Sequence, residues 1–159
     1  MVITLLTAEE VEKLPKELRQ CEVPKNFIGY ELDRKCWWWL RSPGYGSSMV
    51  MPVDCAGSVR DYGHNADCHH GVRPALQNLT CDEITQMSKT KDGYIKFLGT
   101  KWIDISEYLG YSCLLKKKCL KKPHRFDKDS NDYETSEIKK IIEKWLGKKI
   151  DAGILYVDR

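Results

Sequence analysis

The residues best suited to chemistry are cysteines and histidines that fall close together in the first half of the chain. They are Cys55, His64, Cys68, His69 and His70. Thiolates and imidazoles are ligands that zinc prefers, and an H-x3-C-H-H run places several of them near one another. The paired C-x2-C and H-x3-H spacing of structural zinc sites is missing, and adjacent histidines on an extended chain point apart. We therefore interpret this segment as a polar loop and predict no metal and no cofactor.

Nucleophilic catalysis and nucleotide binding have no recognisable motif in the sequence. The adjacent Cys68 and His69 do not form the signature of a catalytic dyad, and no nucleophile elbow is present. No P-loop and no G-x-G-x-x-G run occurs. The Gly/Ser-rich segment 44–48 directly follows Pro43, which favours a loop. These observations predict that the protein is not an enzyme and has no catalytic residues.

The most highly charged segment is 116–125, in which six of the ten residues are lysine or arginine. One interpretation is a solvated strand edge, on which lysines block edge-to-edge pairing. The other is a contact patch for an acidic protein surface or a nucleic-acid backbone. Aromatic residues are not interleaved with the cations, which argues against sequence-specific RNA recognition. The candidate partner-binding residues are Lys116, Lys117, Lys118, Lys121, Lys122, Arg125 and Tyr45.

Length and composition limit the class of protein. A chain of 159 residues with a net charge of +3 predicts one domain and no overall nucleic-acid footprint. It has no apolar run long enough to span a bilayer and no signal peptide. Its seven cysteines, without a secretory signal, are expected to be reduced thiols in a cytoplasm, most of them small buried hydrophobes.

The elements that must position these residues begin with a strand over Cys36–Arg41. Alternation along this strand places Trp37 and Trp39 on one face and Trp38 on the other. The next strands are predicted over Ser48–Val53, Ser58–Tyr62 and Gly71–Leu76, with segment 54–57 as a turn between the first two. Pro52 and Pro74 cannot donate to a sheet, so their strands are edges or end near the prolines.

The rest of the chain predicts a mixed α+β fold with short antiparallel strands and two main helices. A capping box at Thr7 starts a helix from Ala8 towards Leu14, and an apolar stripe predicts a helix over Ser130–Gly147, capped at Asn131 or Asp132 and closed by Gly147. A shorter helix is predicted at Thr80–Ser88. Further strands are predicted at Val2–Leu6, Phe27–Tyr30, Cys113–Leu115 and Gly153–Val157, with a hairpin of Tyr94–Leu98 and Lys101–Ile105 around Gly99-Thr100.

Three sequence blocks carry a resemblance to a known family. They are WWWLRSPG, a D-x-x-G-S-V hairpin and GVRPAL, in that order. The chain resembles a bacterial and phage domain family of unknown function that carries these blocks. It is similar, more distantly, to the sulfatase-modifying-factor branch of C-type-lectin-like folds. The resemblance implies short twisted antiparallel sheets and long loops. Arg41 and Arg73 lie inside apolar motifs, so we expect them to be partly buried and to bind backbone carbonyls or a carboxylate, with a ligand-binding arginine pair as the alternative.

The second half of the chain resembles the part of the family that normally comes first. The matching residues are Trp102, Leu114, Leu115, Arg125, Phe126, Tyr133, Ser136 and Trp145. This reversed order predicts a circular permutation of a C-type-lectin-like domain, with 1–79 and 90–159 as the two halves of a single domain.

The favoured function is a non-catalytic protein-binding module of a phage or mobile element, in the cytoplasm of the host cell. We expect such a module to inhibit a host enzyme or a defence system such as a CRISPR nuclease. We expect its partner to be a host protein and expect no binding to a membrane. Whether the module also contacts nucleic acid directly is left undecided. One alternative is a sulfatase-modifying or metal-dependent enzyme, which requires a suitable cysteine pair or a bound metal. Another is a surface- or carbohydrate-binding tail domain, for which segment 127–132 is a faint calcium-type loop.

Overall fold

A computed structural model describes residues 1–151 as a mixed α+β fold. The strands are β1 (Val2–Thr4), β2 (Cys21–Glu22), β3 (Lys35–Cys36), β4 (Trp38–Pro43), β5 (Met49–Val53), β6 (His64–Asn65), β7 (His69–His70), β8 (Ala75–Gln77), β9 (Ser88–Lys89), β10 (Ile95–Phe97), β11 (Thr100–Asp104), β12 (Cys113–Lys116) and β13 (His124–Arg125). The helices are α1 (Ala8–Glu12), α2 (Lys16–Arg19), α3 (Cys81–Thr85), α4 (Ser106–Leu109) and α5 (Glu137–Asp151), with a 3-10 turn at Tyr133–Thr135. None of the helices described is long and apolar enough to cross a lipid bilayer.

The main sheet has six antiparallel strands in the order β1–β8–β12–β11–β10–β9. A second sheet has the order β4–β5–β6, and two small sheets pair β2 with β3 and β7 with β13. Strands from both halves of the chain therefore share the main sheet. The predicted α+β architecture with short antiparallel sheets is confirmed.

Two buried apolar clusters hold the sheets and helices together. Trp39 and Trp102 belong to one cluster, together with the inner face of α5, whereas Trp38 belongs to the other. Trp37 and Trp39 both contact the ring of His70, so they share a face. The predicted alternation of the three tryptophans is confirmed, although the strand is interrupted at Trp37.

The helices differ from the sequence prediction in number and limits. Pro15 ends α1 early and α2 follows it, so α5 is the one long helix among the described residues. The α5 helix begins seven residues later than predicted, since the Asp127 carboxylate accepts the N–H groups of Ser130 and Glu137 and keeps the intervening segment as a loop. The cap of α5 is Ser136, whose hydroxyl accepts the Lys139 N–H.

Gly147 does not close α5, because the helix continues to Asp151. Among residues 1–151, no atom outside this helix lies within 4 Å of the position that a Cβ would take at Gly147. A glycine ends a helix only where the following geometry requires its left-handed conformation. The prediction from sequence was therefore wrong at this residue.

The hairpin of β10 and β11 is present, but its turn is one residue earlier than predicted. Phe97 pairs with Thr100, and Leu98 and Gly99 both have positive φ angles, of 56° and 71°. Two consecutive positive φ angles are the geometry of a tight hairpin turn that matches the twist of the strands. With this register Trp102 is buried and its Nε1 donates to the Phe97 carbonyl at 2.8 Å.

Several strand predictions are corrected. Segment 27–30 forms no strand, and Ser58–Tyr62 contributes only a single bridge between Val59 and Val53. The predicted strand Gly153–Val157 lies outside the described residues. Strand β12 lies between β8 and β11, so the start of the basic segment is in the interior of a sheet and not at its edge.

Candidate functional site

Three cysteines that are far apart in sequence form one buried group, the thiol cluster of Cys21, Cys36 and Cys119. Their Sγ atoms all lie within 4.8 Å of one another, and those of Cys36 and Cys119 are 3.7 Å apart. Cys21 and Cys36 face each other across the β2–β3 pair. The Cys119 N–H donates to the Glu22 carbonyl at 3.2 Å, which fixes the third thiol beside this pair.

Two buried cations accompany the thiol cluster. Arg73 is only 1% exposed; it donates to the carbonyls of Lys116 and Leu18, at 2.8 Å each, and lies over the Trp38 ring. Lys116 is 7% exposed and donates to the Lys118 carbonyl at 2.9 Å. The prediction that Arg73 satisfies backbone carbonyls is confirmed, and Arg41 does so as well, at Leu5. Among the described residues, no carboxylate forms an ion pair with Arg73 or Lys116, although buried charges normally have one.

The electrostatics of the thiol cluster distinguish Cys21 from the other two thiols. Burial raises the pKa of the Cys21 thiol, but hydrogen bonds from Cys119 and Cys36 and the nearby cations outweigh burial and hold that pKa well below its usual range. Hydrogen bonds to the other two thiols, followed by burial, raise the pKa of Cys36. The hydrogen bond with Cys21 likewise raises the pKa of Cys119. Burial also lowers the pKa of Lys116 to about 8.

A small open cleft lies beside Gly71, close to the thiol cluster. Its volume is about 160 Å³, and it is lined by Phe27, Tyr30, Trp37, His69, His70, Gly71 and Pro123. A Cβ at Gly71 would lie 2.7 Å from the Cys36 sulfur and 2.9 Å from the Trp37 carbonyl oxygen. Gly71 therefore borders both the cleft and the Cys36 sulfur.

The predicted Cys/His group is only partly brought together. His64 Nδ1 and His70 Nε2 lie 2.8 Å apart, and Trp37 stacks on both rings. Burial lowers the pKa of His70 to about 4, so the pair is neutral at pH 7. Cys55 points elsewhere, with its thiol donating to the Lys35 carbonyl at 3.5 Å.

The candidate partner-binding residues occupy different environments. The ammonium of Lys116 is in the interior, that of Lys117 pairs with Glu22 at 2.8 Å, and Arg125 pairs with Glu137 at 3.1 Å. Tyr45 is 76% exposed and its ring packs on Tyr62. Three of the candidates are exposed and form no ion pair with another described residue: Lys118, Lys121 and Lys122.

An exposed apolar loop lies against the end of the basic segment. Ile28, Tyr30 and Leu32 are all more than half exposed. The Ile28 N–H donates to the Lys121 carbonyl at 3.1 Å, which joins the loop to the basic segment. We call the cleft, the loop 27–32 and the exposed lysines Lys121 and Lys122 the docking surface.

Comparison with known proteins supports part of the resemblance. Residues 7–78 match a family described as "Domain of unknown function (DUF6273)". The match covers less than half of the chain and includes all three motif blocks, from WWWLRSPG to GVRPAL. No curated protein and no solved structure matches the chain. Cys21, Cys36 and Arg73 lie inside the matched segment, whereas Lys116 and Cys119 lie outside it.

Sequence reasoning did not find the thiol cluster, and of the docking surface it named Lys121 and Lys122 but neither the cleft nor the loop 27–32. Cys119 is 83 positions from Cys36, and no metal-ligand spacing connects them. The only signal in the sequence was the unusually high number of cysteines, seven in 159 residues. Segment 27–30 of this loop was predicted as a strand, and the exposure of its apolar residues was not predicted.

Proposed function

We propose that the chain is a non-catalytic protein-binding module that captures an acidic segment of a partner protein through the docking surface. The observation that supports this most is the exposure of three large apolar side chains in one loop. Ile28, Tyr30 and Leu32 are 58%, 71% and 60% exposed. A contiguous exposed apolar patch on a folded domain is typical of an interaction site.

The charge next to this patch indicates the chemistry of the partner. Lys121 and Lys122 are exposed beside the loop, and no described residue neutralises them in an ion pair. Interfaces commonly combine a tyrosine-rich centre with a charged rim, and the rim sets specificity and association rate. A partner segment with Asp or Glu residues around an apolar anchor is complementary to this arrangement.

The size of the cleft favours a side chain over a small-molecule ligand. Its volume of about 160 Å³ is below the roughly 300–1,000 Å³ of typical ligand pockets. Its walls include Phe27, Trp37 and Pro123, which offer apolar surface to one inserted side chain. We propose that this cleft takes the apolar anchor of the partner while the lysines contact the flanking carboxylates.

The biological consequence of binding remains a separate proposal. Inhibition of a host enzyme or of a defence system such as a CRISPR nuclease, by a protein of phage or mobile-element origin, stays a prediction. The C-type-lectin-like ancestry and the circular permutation also stay predictions, supported by the order of the motif blocks.

A selection from a displayed library of random 12-residue peptides tests the docking surface. We expect the selected peptides to combine Asp or Glu with one apolar anchor. Binding of a selected peptide, measured by calorimetry, should weaken roughly tenfold or more for Tyr30→Ala, as for a central interface residue. The double variant Lys121→Glu/Lys122→Glu should also weaken binding and reduce its dependence on salt.

Matched controls test whether the loss of peptide binding is specific to the docking surface. The alternative is that any removed tyrosine or reversed charge has the same effect. Tyr108→Ala removes an exposed tyrosine elsewhere, and Lys144→Glu/Lys148→Glu reverses two exposed lysines on α5. Both controls should bind the peptide like the wild type. Selected peptides without acidic residues, or equal binding by the docking-surface and control variants, would contradict the proposal.

A further inference from the structure

The thiol cluster plays no part in the proposed binding function, yet its composition is specific. It places three buried thiols beside two buried cations, Arg73 and Lys116, that form no ion pair with a described carboxylate. We propose that Cys21, Cys36 and Cys119 bind one Cu(I) ion in a closed site of three sulfur ligands.

The geometry of the sulfur atoms fits a three-coordinate ion. With metal–sulfur bonds of about 2.3 Å, three sulfurs around one ion lie roughly 4.0 Å apart. The Cys36 and Cys119 sulfurs are 3.7 Å apart, and none of the three separations exceeds 4.8 Å. Small rotations of the side chains are enough to reach the required triangle, because the thiols already converge from β2, β3 and the segment after β12.

The charges of the surroundings select a monovalent ion. Three thiolates and one Cu(I) carry a net charge of −2, which Arg73 and Lys116 balance. A zinc ion in the same place would leave a net charge of −1 and one uncompensated cation. Three neutral thiols would leave both cations uncompensated in the interior, and a single thiolate would leave one, which is costly. Binding of the ion releases one proton from each cysteine that is protonated beforehand.

The number and type of the ligands also favour Cu(I). Structural zinc is almost always four-coordinate. Among residues 1–151, the group of converging Cys, His, Asp and Glu ligands consists of the three cysteines alone. Each is at most 1% exposed. Soft thiolate ligands suit Cu(I), zinc and iron–sulfur clusters, and among these the coordination number of three favours Cu(I).

The site would connect parts of the chain that are distant in sequence. Cys21 and Cys36 belong to the first half and Cys119 to the second, and the bridge between Glu22 and Lys118 runs beside them. A bound ion would therefore join the two halves and support Gly71, which forms the floor of the cleft. This role concerns the stability of the fold, and it does not depend on the partner of the docking surface.

The experiment uses the full chain, purified and reduced without oxygen and titrated with Cu(I) supplied as its acetonitrile complex. We expect one copper per chain to be retained against a chromogenic Cu(I) chelator. X-ray absorption at the copper edge should show three sulfur neighbours at about 2.3 Å. Cu(I) should also raise the thermal unfolding temperature, since a ligand that binds the folded state stabilises it.

Variants assign the ligands. Cys36→Ser and Cys119→Ser should each lower copper retention on the order of tenfold or more, in the upper part of the range for loss of metal-site contacts. The matched control, Cys55→Ser/Cys68→Ser/Cys81→Ser, removes three cysteines outside the cluster and should still retain one copper. If a cluster variant does not fold, two measurements still test the proposal. These are the number of sulfur neighbours of copper in the wild type and the copper retained by the control variant.

Several results would overturn the proposal. These are the absence of retained copper, fewer than three sulfur neighbours, loss of copper from the control variant, and preferential retention of Zn(II) when both ions are offered. Spontaneous formation of a Cys36–Cys119 disulfide in a sample that takes up no Cu(I) after reduction would do the same.

Discussion

Replacing Gly71 by alanine tests whether the thiol cluster and the cleft are packed as tightly as the structure indicates. The new Cβ would lie 2.7 Å from the Cys36 sulfur and 2.9 Å from the Trp37 carbonyl oxygen. That carbonyl accepts the Gly71 N–H at 2.7 Å, and the Gly71 carbonyl accepts the Trp39 N–H at 3.1 Å. The backbone therefore cannot move away without weakening one of these hydrogen bonds.

The expected loss of stability follows from these contacts. Overpacking of a core costs about 1–3 kcal/mol. A weakened backbone hydrogen bond adds about 0.5–1.5 kcal/mol. Alanine stabilises by roughly 0.4–1 kcal/mol through the unfolded chain, because Gly71 has no positive φ angle that would strain it. We therefore expect Gly71→Ala to lower the free energy of unfolding by about 0.5–4 kcal/mol.

Urea unfolding of the reduced, metal-free protein, followed by tryptophan fluorescence, measures this difference. The matched control is Gly147→Ala, which adds a methyl group to α5 where no described atom outside the helix lies within 4 Å. The control should raise the free energy of unfolding by roughly 0.5–1 kcal/mol. The double variant Gly71→Ala/Cys36→Ala removes the closest contact and should show a coupling of about 1 kcal/mol in a double-mutant cycle.

The reasoning is refuted if Gly71→Ala unfolds within about 0.5 kcal/mol of the wild type, the range typical of unconstrained surface positions. It is also refuted if Gly71→Ala and Gly147→Ala have the same effect. A loss of stability without coupling to Cys36→Ala would show that only the contact with the Trp37 carbonyl matters. The sulfur of Cys36 would then not be held against the floor of the cleft.

Two further predictions concern buried polar groups. Burial raises the pKa of Glu10, but hydrogen bonds from Tyr111, the Thr7 N–H and Gln77 outweigh it and leave that pKa below the usual value. The stabilisation is therefore fully present above the pKa of an unfolded glutamate, about 4.3, and is lost as pH falls through the folded-state pKa. Urea unfolding at pH 6 and pH 3 should show a smaller loss of stability for Glu10→Gln than for the wild type; equal losses would contradict this. The buried Tyr133 hydroxyl has no hydrogen-bond partner among the described residues. Tyr133→Phe should therefore leave the free energy of unfolding unchanged or raise it by up to about 1 kcal/mol in the same assay. A clear loss of stability would contradict this, because it would reveal a hydrogen-bond partner of the hydroxyl.

Local features of the fold were predictable because their causes lie within a few residues. The capping boxes at Thr7 and Thr80 start α1 and α3, and each depends on a glutamate three residues later. The alternation of Trp38 and Trp39 between two cores follows from the two-residue period of a strand. The limits of α5 were not predictable, because Asp127 and Ser136 decide them through bonds that compete with the helix.

The sequence by itself determined the α+β class, the motif blocks and the buried arginines, since composition, periodicity and short-range hydrogen bonds carry that information. It did not determine which cysteines meet. The six-stranded sheet and the β2–β3 pair bring Cys119 to Cys21 and Cys36, and only this tertiary contact places Arg73 and Lys116 beside three thiols. Likewise, Lys116 is buried because β12 is an inner strand, whereas Lys121 and Lys122 remain at the surface. A run of lysines has the same sequence whether it is buried or exposed. Only the neighbouring strands decide which of its charges are accessible to a partner.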